Sequence, residues 1–198
     1  MTNWLLRTFI KNSDRSEDPK VRAAIGILSG IVGIVCNVLL CGGKLAVGIA
    51  TGSVSITADA MNNLSDATSS VVTMLGFRLA ERPADEEHPF GHARYEYLSG
   101  LAVSALILII GVELAKSSLD KVLHPAAVEF GWTTAAVLVG SILVKLWMSL
   151  FNTRLSKTIH SATLAATAAD SRNDVITTSA VLLAALIEHF TAFRADGW

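Results

Sequence analysis

The chain has 198 residues, 52% of them hydrophobic, a formal charge of −1 and a mean hydropathy of +0.50. That composition is too apolar for an ordinary soluble domain of this length, and no nucleic-acid partner is expected. The apolar runs are continuous, not ten-residue alternating segments, so a β-barrel is excluded and an all-α, polytopic helical membrane protein is expected.

Residues 1–23 form a basic N-terminal arm, with Arg7, Lys11, Arg15, Lys20 and Arg22 beside the apolar Trp4, Leu5, Leu6, Phe9 and Ile10. It reads either as a short interfacial helix or as a flexible arm. A cleaved signal peptide is not expected, because the next apolar run is of full spanning length and no small-residue cleavage site is placed to cut it. Residues 24–198 form a transmembrane domain with spans expected near 24–49, 53–79, 96–120, 129–151 and 160–189.

Span one is rich in small residues, and Gly26 and Gly30 have the spacing that lets membrane helices approach closely. Cys36 and Cys41 lie roughly 140° apart on a helix and cannot pair, so they read as packing residues. Asn37 and Lys44 interrupt the span; Asn37 reads as a packing or cross-helix polar residue and Lys44 as one whose chain snorkels to the outer interface. The turn Thr51-Gly52-Ser53 is short enough to make span two its antiparallel neighbour.

Span two contains the stretch SVSITADAMNNLSDATSS, from Ser53 to Ser70. Offsets of three and four put Asp59, Asn62 and Asp66 along one helical stripe. Intramembrane carboxylates are costly, roughly 2.5–3.5 kcal/mol each at a helix centre, which points to function. The following connection, Ala80 to Arg94, gathers Asp85, Glu86, Glu87, His88 and His92. Imidazoles and a carboxylate at Asp85, His88 and His92 suit zinc and its neighbours, while a solvated acidic loop with free histidines is the other reading.

Span three carries Glu113 and stops at His124-Pro125. In span four Lys145 and Trp147 read as interface anchors near the inner end. Span five repeats the device of span two, with Asp170 and Asp174 four residues apart, and Arg172 turned about 160–200° away from them. Two oxygen-rich faces of this kind could close on one cation. Basic residues concentrate in the arm, at Arg78, Arg82 and Arg94, and at Arg154 and Lys157, which places the N-terminus in the cytoplasm.

These motifs resemble the cation diffusion facilitator family. SVSITADAMNNLSD is similar to its helix-two pattern and ADSRND to its helix-five pattern, and the loop HPFGHARYE is similar to a family loop. The resemblance implies a transport site of Asn62, Asp66, Asp170 and Asp174, and a second, auxiliary metal at Asp85, His88 and His92. It implies a secondary active transporter and not an enzyme, with no permanently bound cofactor. Its partners would be a divalent metal, protons, the lipid bilayer and a second copy of the chain, in a prokaryotic cell (inner) membrane. Family members usually continue through a sixth helix into a cytoplasmic domain, and Asp196-Gly197 looks like the start of that helix.

Zinc-moving members carry histidines where this chain has Asn62 and Asp170. An all-oxygen set favours a harder cation, so Mn²⁺ efflux by proton antiport is expected, with Zn²⁺, Fe²⁺, Co²⁺ or Cd²⁺ export as the alternative. Two rivals come from other classes. One is a non-transporting membrane bundle; the other is an intramembrane aspartic protease, disfavoured because the GxGD pattern such proteases resemble is absent.

Overall fold

The computed structural model describes residues 6, 8–10, 18–52, 54–123 and 131–191. Among them run five long helices: α1 (Pro19–Thr51), α2 (Val54–Ala80), α3 (Arg94–Leu123), α4 (Trp132–Ile159) and α5 (Ala162–Thr191). The described residues contain no strand. The expected stop at His124-Pro125 and the Asp196-Gly197 motif lie outside the described residues, as does most of the N-terminal arm. Of that arm, Leu6 and Ile10 are buried in the same apolar cluster as Val21, Ile25, Phe77, Phe151 and Leu155.

The helix ends follow local chemistry. Asp18 caps α1 by accepting the Lys20 N–H at 2.9 Å, and Pro19 occupies the first helical position, where a missing N–H costs nothing. At the other end Gly52 adopts φ 68°, and its N–H reaches back to the Gly48 and Ile49 carbonyls. The chain therefore reverses at once into α2.

Small residues decide how closely α1 and α2 pack. A Cβ on Gly30 would lie 2.5 Å from the Met74 Cβ, and one on Gly33 would lie 2.5 Å from the Ser70 Oγ; Gly26 sits against the ring of Phe77. The expected Gly26–Gly30 stripe is thus the seam of the α1–α2 pair.

Three helices, Pro19–Thr51, Arg94–Glu113 within α3, and Trp132–Ile159, are long and apolar enough to cross a membrane by themselves. Among the described residues, α2 and α5, which hold the carboxylates and many hydroxyls, do not reach that length of apolar run. Ser70, Thr73, Thr167 and Ser171 each donate to the carbonyl four residues earlier, so their polar groups are satisfied within the helix. Leu101, Leu108, Leu143 and Leu150 point outward and are exposed, the pattern of a bundle whose solvent is hydrocarbon.

A polar clamp ties four helices together at the end where α1 begins. Arg22 grips Glu96 of α3 with a two-pronged contact, Nε to Oε2 at 2.9 Å and a terminal nitrogen to Oε1 at 2.7 Å, and also donates to the Ile159 carbonyl of α4. Thr163 of α5 donates to the Glu96 carbonyl at 2.8 Å. Planar guanidinium geometry suits this forked contact better than an ammonium would.

Candidate metal centre

The i,i+4 spacing on α5 and the tight packing of the bundle bring three carboxylates together. One oxygen from each of Asp66, Asp170 and Asp174 lies within 4.8 Å of the others. Asp66 is buried and the other two are half-buried. Asn62 sits one turn earlier on α2 than Asp66 and is half-buried. Oxygens at this separation can converge on a divalent cation with only small side-chain rotations.

Two lysines depart from the sequence expectation. Lys145 is not an interface anchor: α4 runs on to Ile159, so Lys145 lies near its middle and is 3% exposed. Its Nζ donates to Asp66 Oδ2 at 2.5 Å and to Asp174 Oδ2 at 2.6 Å. Lys44 does not snorkel either; it is 3% exposed and pairs with Asp59 at 2.7 Å. Asp59 therefore spends its charge on Lys44, and the stripe drawn through Asp59, Asn62 and Asp66 divides into an ion pair and a cluster. Both lysines obey the rule that buried charges are paired. With all groups ionised, the cluster and Lys145 together carry a formal −2, one unit less negative than three carboxylates alone.

The loop between α2 and α3 forms a second cluster, in which ligand atoms of Asp85, His88 and His92 all lie within 4.8 Å of one another. His88 Nδ1 is 3.1 Å and His92 Nε2 3.4 Å from the Asp85 carboxylate. His92 is buried and stacked on Tyr95, and its Nδ1 lies 3.0 Å from the Pro83 carbonyl. A carbonyl can only accept, so that contact puts a proton on Nδ1 and leaves the Nε2 lone pair facing a carboxylate oxygen. Two acceptors face each other there, an arrangement that a bound metal ion would bridge. The His88 backbone N–H, 2.6 Å from Asp85 Oδ1, holds the Asp85 carboxyl below its ordinary range, helped by the nearby imidazoles. The loop can close because Gly91 takes φ 78° and returns its N–H to the His88 carbonyl at 2.9 Å.

Residues 30–197 match the cation efflux transmembrane domain. The chain belongs to the cation efflux family. Three relatives are typical of those it resembles. It is 30% identical to the manganese efflux system protein MneS of Bacillus subtilis over 75% of this chain and 51% of that protein. It is 29% identical to the cation-efflux pump FieF of Shewanella oneidensis, over 78% of this chain and 52% of the pump. An uncharacterized transporter of Methanocaldococcus jannaschii is 29% identical over 84% of this chain and 59% of its own length. The chain thus spans between half and three-fifths of the length of these relatives. Membership in a cation efflux family, with three strongly apolar helices, makes it an integral membrane protein. The all-helical fold expected from the continuous apolar runs and from the resemblance is borne out among the described residues, and the matching family domain is one of cation efflux.

Proposed function

We propose that the five helices cross the bilayer together and move a divalent transition metal, Mn²⁺ first, outward in exchange for protons. The observation that carries this reading is the convergence of Asp66, Asp170 and Asp174 within 4.8 Å on two neighbouring helices. Together with Asn62 they form an oxygen-only ligand set, and carboxylate and carbonyl oxygen suit Mn²⁺ better than Zn²⁺. The similarity to a protein named for manganese efflux supports the same choice.

The dense negative charge supports proton coupling. Three carboxylates against one ammonium leave an excess of anions that a metal neutralises, and in its absence protons are the available substitute. Alternating access then consists of α2 and α5 presenting the cluster to one side and then the other. The N-terminus and the Asp85–His88–His92 loop lie on the cytoplasmic side, where the basic residues gather, and the loop metal is auxiliary. A second copy of the chain completes the working unit, in a prokaryotic inner membrane.

Proteoliposomes holding the purified chain test the reading. Mn²⁺ flux should follow an imposed pH gradient and be lost in Asp66→Ala and Asp174→Ala. Flux that ignores the gradient removes the antiport mechanism; no flux, with metal still bound, makes the chain a binding bundle.

A further inference from the structure

Lys145 occupies the position a metal would need, and two helix registers identify what stands beside it. Along α1 and α4, Arg22 meets the Ile159 carbonyl and Ser29 donates to Asn152 at 2.6 Å. Each step of seven residues along α1 is matched by seven back along α4, and the next step brings Cys36 level with Lys145. Along α1 and α2, Gly33 faces Ser70 and Lys44 pairs with Asp59, an advance of eleven residues matched by a return of eleven. Between those two contacts Asn37 comes level with Asp66. Both registers therefore set Asn37 at the height of the Lys145–Asp66 ion pair.

Asn37 is 2% exposed, and its Oδ1 has no hydrogen-bond donor, alone in this respect among the buried side-chain atoms of the described residues. A buried carbonyl left without a partner carries a desolvation cost, because it has given up water without gaining a donor. Nearly all buried polar atoms in folded proteins avoid that cost, so an exception points to a partner supplied in another state. The mobile donor that the two registers bring to that height is the Lys145 ammonium, at the end of a flexible four-carbon stem.

We propose that Lys145 is a tethered counter-cation which holds Asp66 and Asp174 in the metal-free protein and moves to the side-chain oxygen of Asn37 when a divalent cation takes those carboxylates. The inference rests on the Asp66, Asp170 and Asp174 reading given above. The exchange breaks two ammonium–carboxylate contacts, forms the metal–carboxylate contacts in their place, and gives the ammonium one carbonyl acceptor. Repulsion between the ammonium and the arriving dication drives the displacement, and attraction to the vacated carboxylates brings it back. In both states the carboxylates face a cation, so α2 and α5 are not forced apart when the site empties.

The test is equilibrium binding of Mn²⁺, read as free Mn²⁺ by electron paramagnetic resonance at fixed pH. It uses the 198-residue chain in nanodiscs, with His88→Ala and His92→Ala silencing the loop. If the ammonium leaves the carboxylates free in only about one molecule in ten, it raises the apparent Kd about tenfold. Lys145→Met should therefore tighten Mn²⁺ binding by about tenfold or more, while Lys145→Arg stays near the unaltered affinity. Asn37→Leu should weaken binding when Lys145 is present and leave it unchanged in the Lys145→Met background. A folded Lys145→Met protein that binds no more tightly overturns the proposal. So does an equal loss on Asn37→Leu in both backgrounds, which would make Asn37 a ligand. Should Lys145→Met fail to fold, the Lys145 side-chain nitrogen resonance, assigned by its absence from Lys145→Arg, decides: it must shift on saturation with Cd²⁺, and a fixed resonance refutes the swap. Unaltered affinity in Asp66→Ala and Asp174→Ala is a separate failure, of the metal site itself.

Discussion

Lys44 Nζ and Asp59 Oδ2 lie 2.7 Å apart, joining α1 to α2 two helical turns beyond the carboxylate cluster. The lysine side chain is 3% exposed and the aspartate 30%, so this is a pair whose cation is fully withdrawn from solvent. Removing only the anion leaves that cation stranded. Asp59→Ala should destabilise the bundle by roughly 3 kcal/mol, the low end for a broken buried pair, and Asp59→Ala with Lys44→Met should recover most of the loss. Denaturation of both variants in mild detergent checks this; equal destabilisation would show that the pair is not coupled.

The two metal clusters should behave independently. α2 is unbroken from Asp66 to Ala80, and fourteen residues of helix separate the carboxylate cluster from the loop by roughly 20 Å. His88→Ala with His92→Ala should remove one bound metal per chain and leave the intramembrane metal in place. Metal content after equilibrium dialysis measures it, and a variant that binds none would join the two sites into one.

The loop also predicts a pH response. Asp85 has its carboxyl held below the ordinary 3.8 in the folded loop, chiefly by the His88 N–H. A folded value below the unfolded one means that the stabilisation is present above the unfolded value and fades as pH falls through the lowered one. Loop order should therefore persist to pH values at which a free aspartate is already half protonated. A titration of the Asp85 carboxyl carbon by nuclear magnetic resonance checks the sign; His88→Pro, which deletes the N–H, should return the midpoint toward 3.8.

Selectivity should follow ligand hardness. Asn62→His with Asp170→His replaces two oxygen ligands by imidazoles and gives a set suited to tetrahedral zinc. Binding curves should shift from Mn²⁺ toward Zn²⁺, and one carboxylate fewer should lower the number of protons exchanged per metal. Asp66→Ala or Asp174→Ala should weaken both metals together. Unchanged Mn²⁺/Zn²⁺ discrimination in a folded double-histidine variant would place selectivity elsewhere.

Packing at the α1–α2 seam predicts a contrast between glycines. An added Cβ at Gly30 meets the Met74 Cβ at 2.5 Å and its Cα at 2.9 Å, whereas one at Gly140 meets nothing within 4 Å. Gly30→Ala should cost about 1–3 kcal/mol through forced displacement of backbone. Gly140→Ala should be neutral or stabilising by up to about 1 kcal/mol through helix propensity. Thermal melts of the two variants decide it.

Much of the protein was legible in its sequence because the relevant signals are local. Apolar run length announces helices. The i,i+4 spacing puts Asp170 and Asp174 on one face whatever surrounds them, and the Asp85, His88 and His92 cluster closes within a single short loop. The partners of the two buried lysines were not legible. Lys44 and Asp59 come from different helices, and Lys145 finds Asp66 from 79 residues away. A lysine in an apolar run reads as an interface residue when its helix is taken to end near 151, and α4 continuing to Ile159 moves Lys145 to mid-helix. Asn37 likewise reads as a packing residue until the antiparallel α1–α2 register places it level with Asp66. Helix identity is set by short-range periodicity. Which charge meets which is set by helix register, and register comes from side-chain packing between helices: here, the glycines that allow α1 to settle against Phe77, Met74 and Ser70.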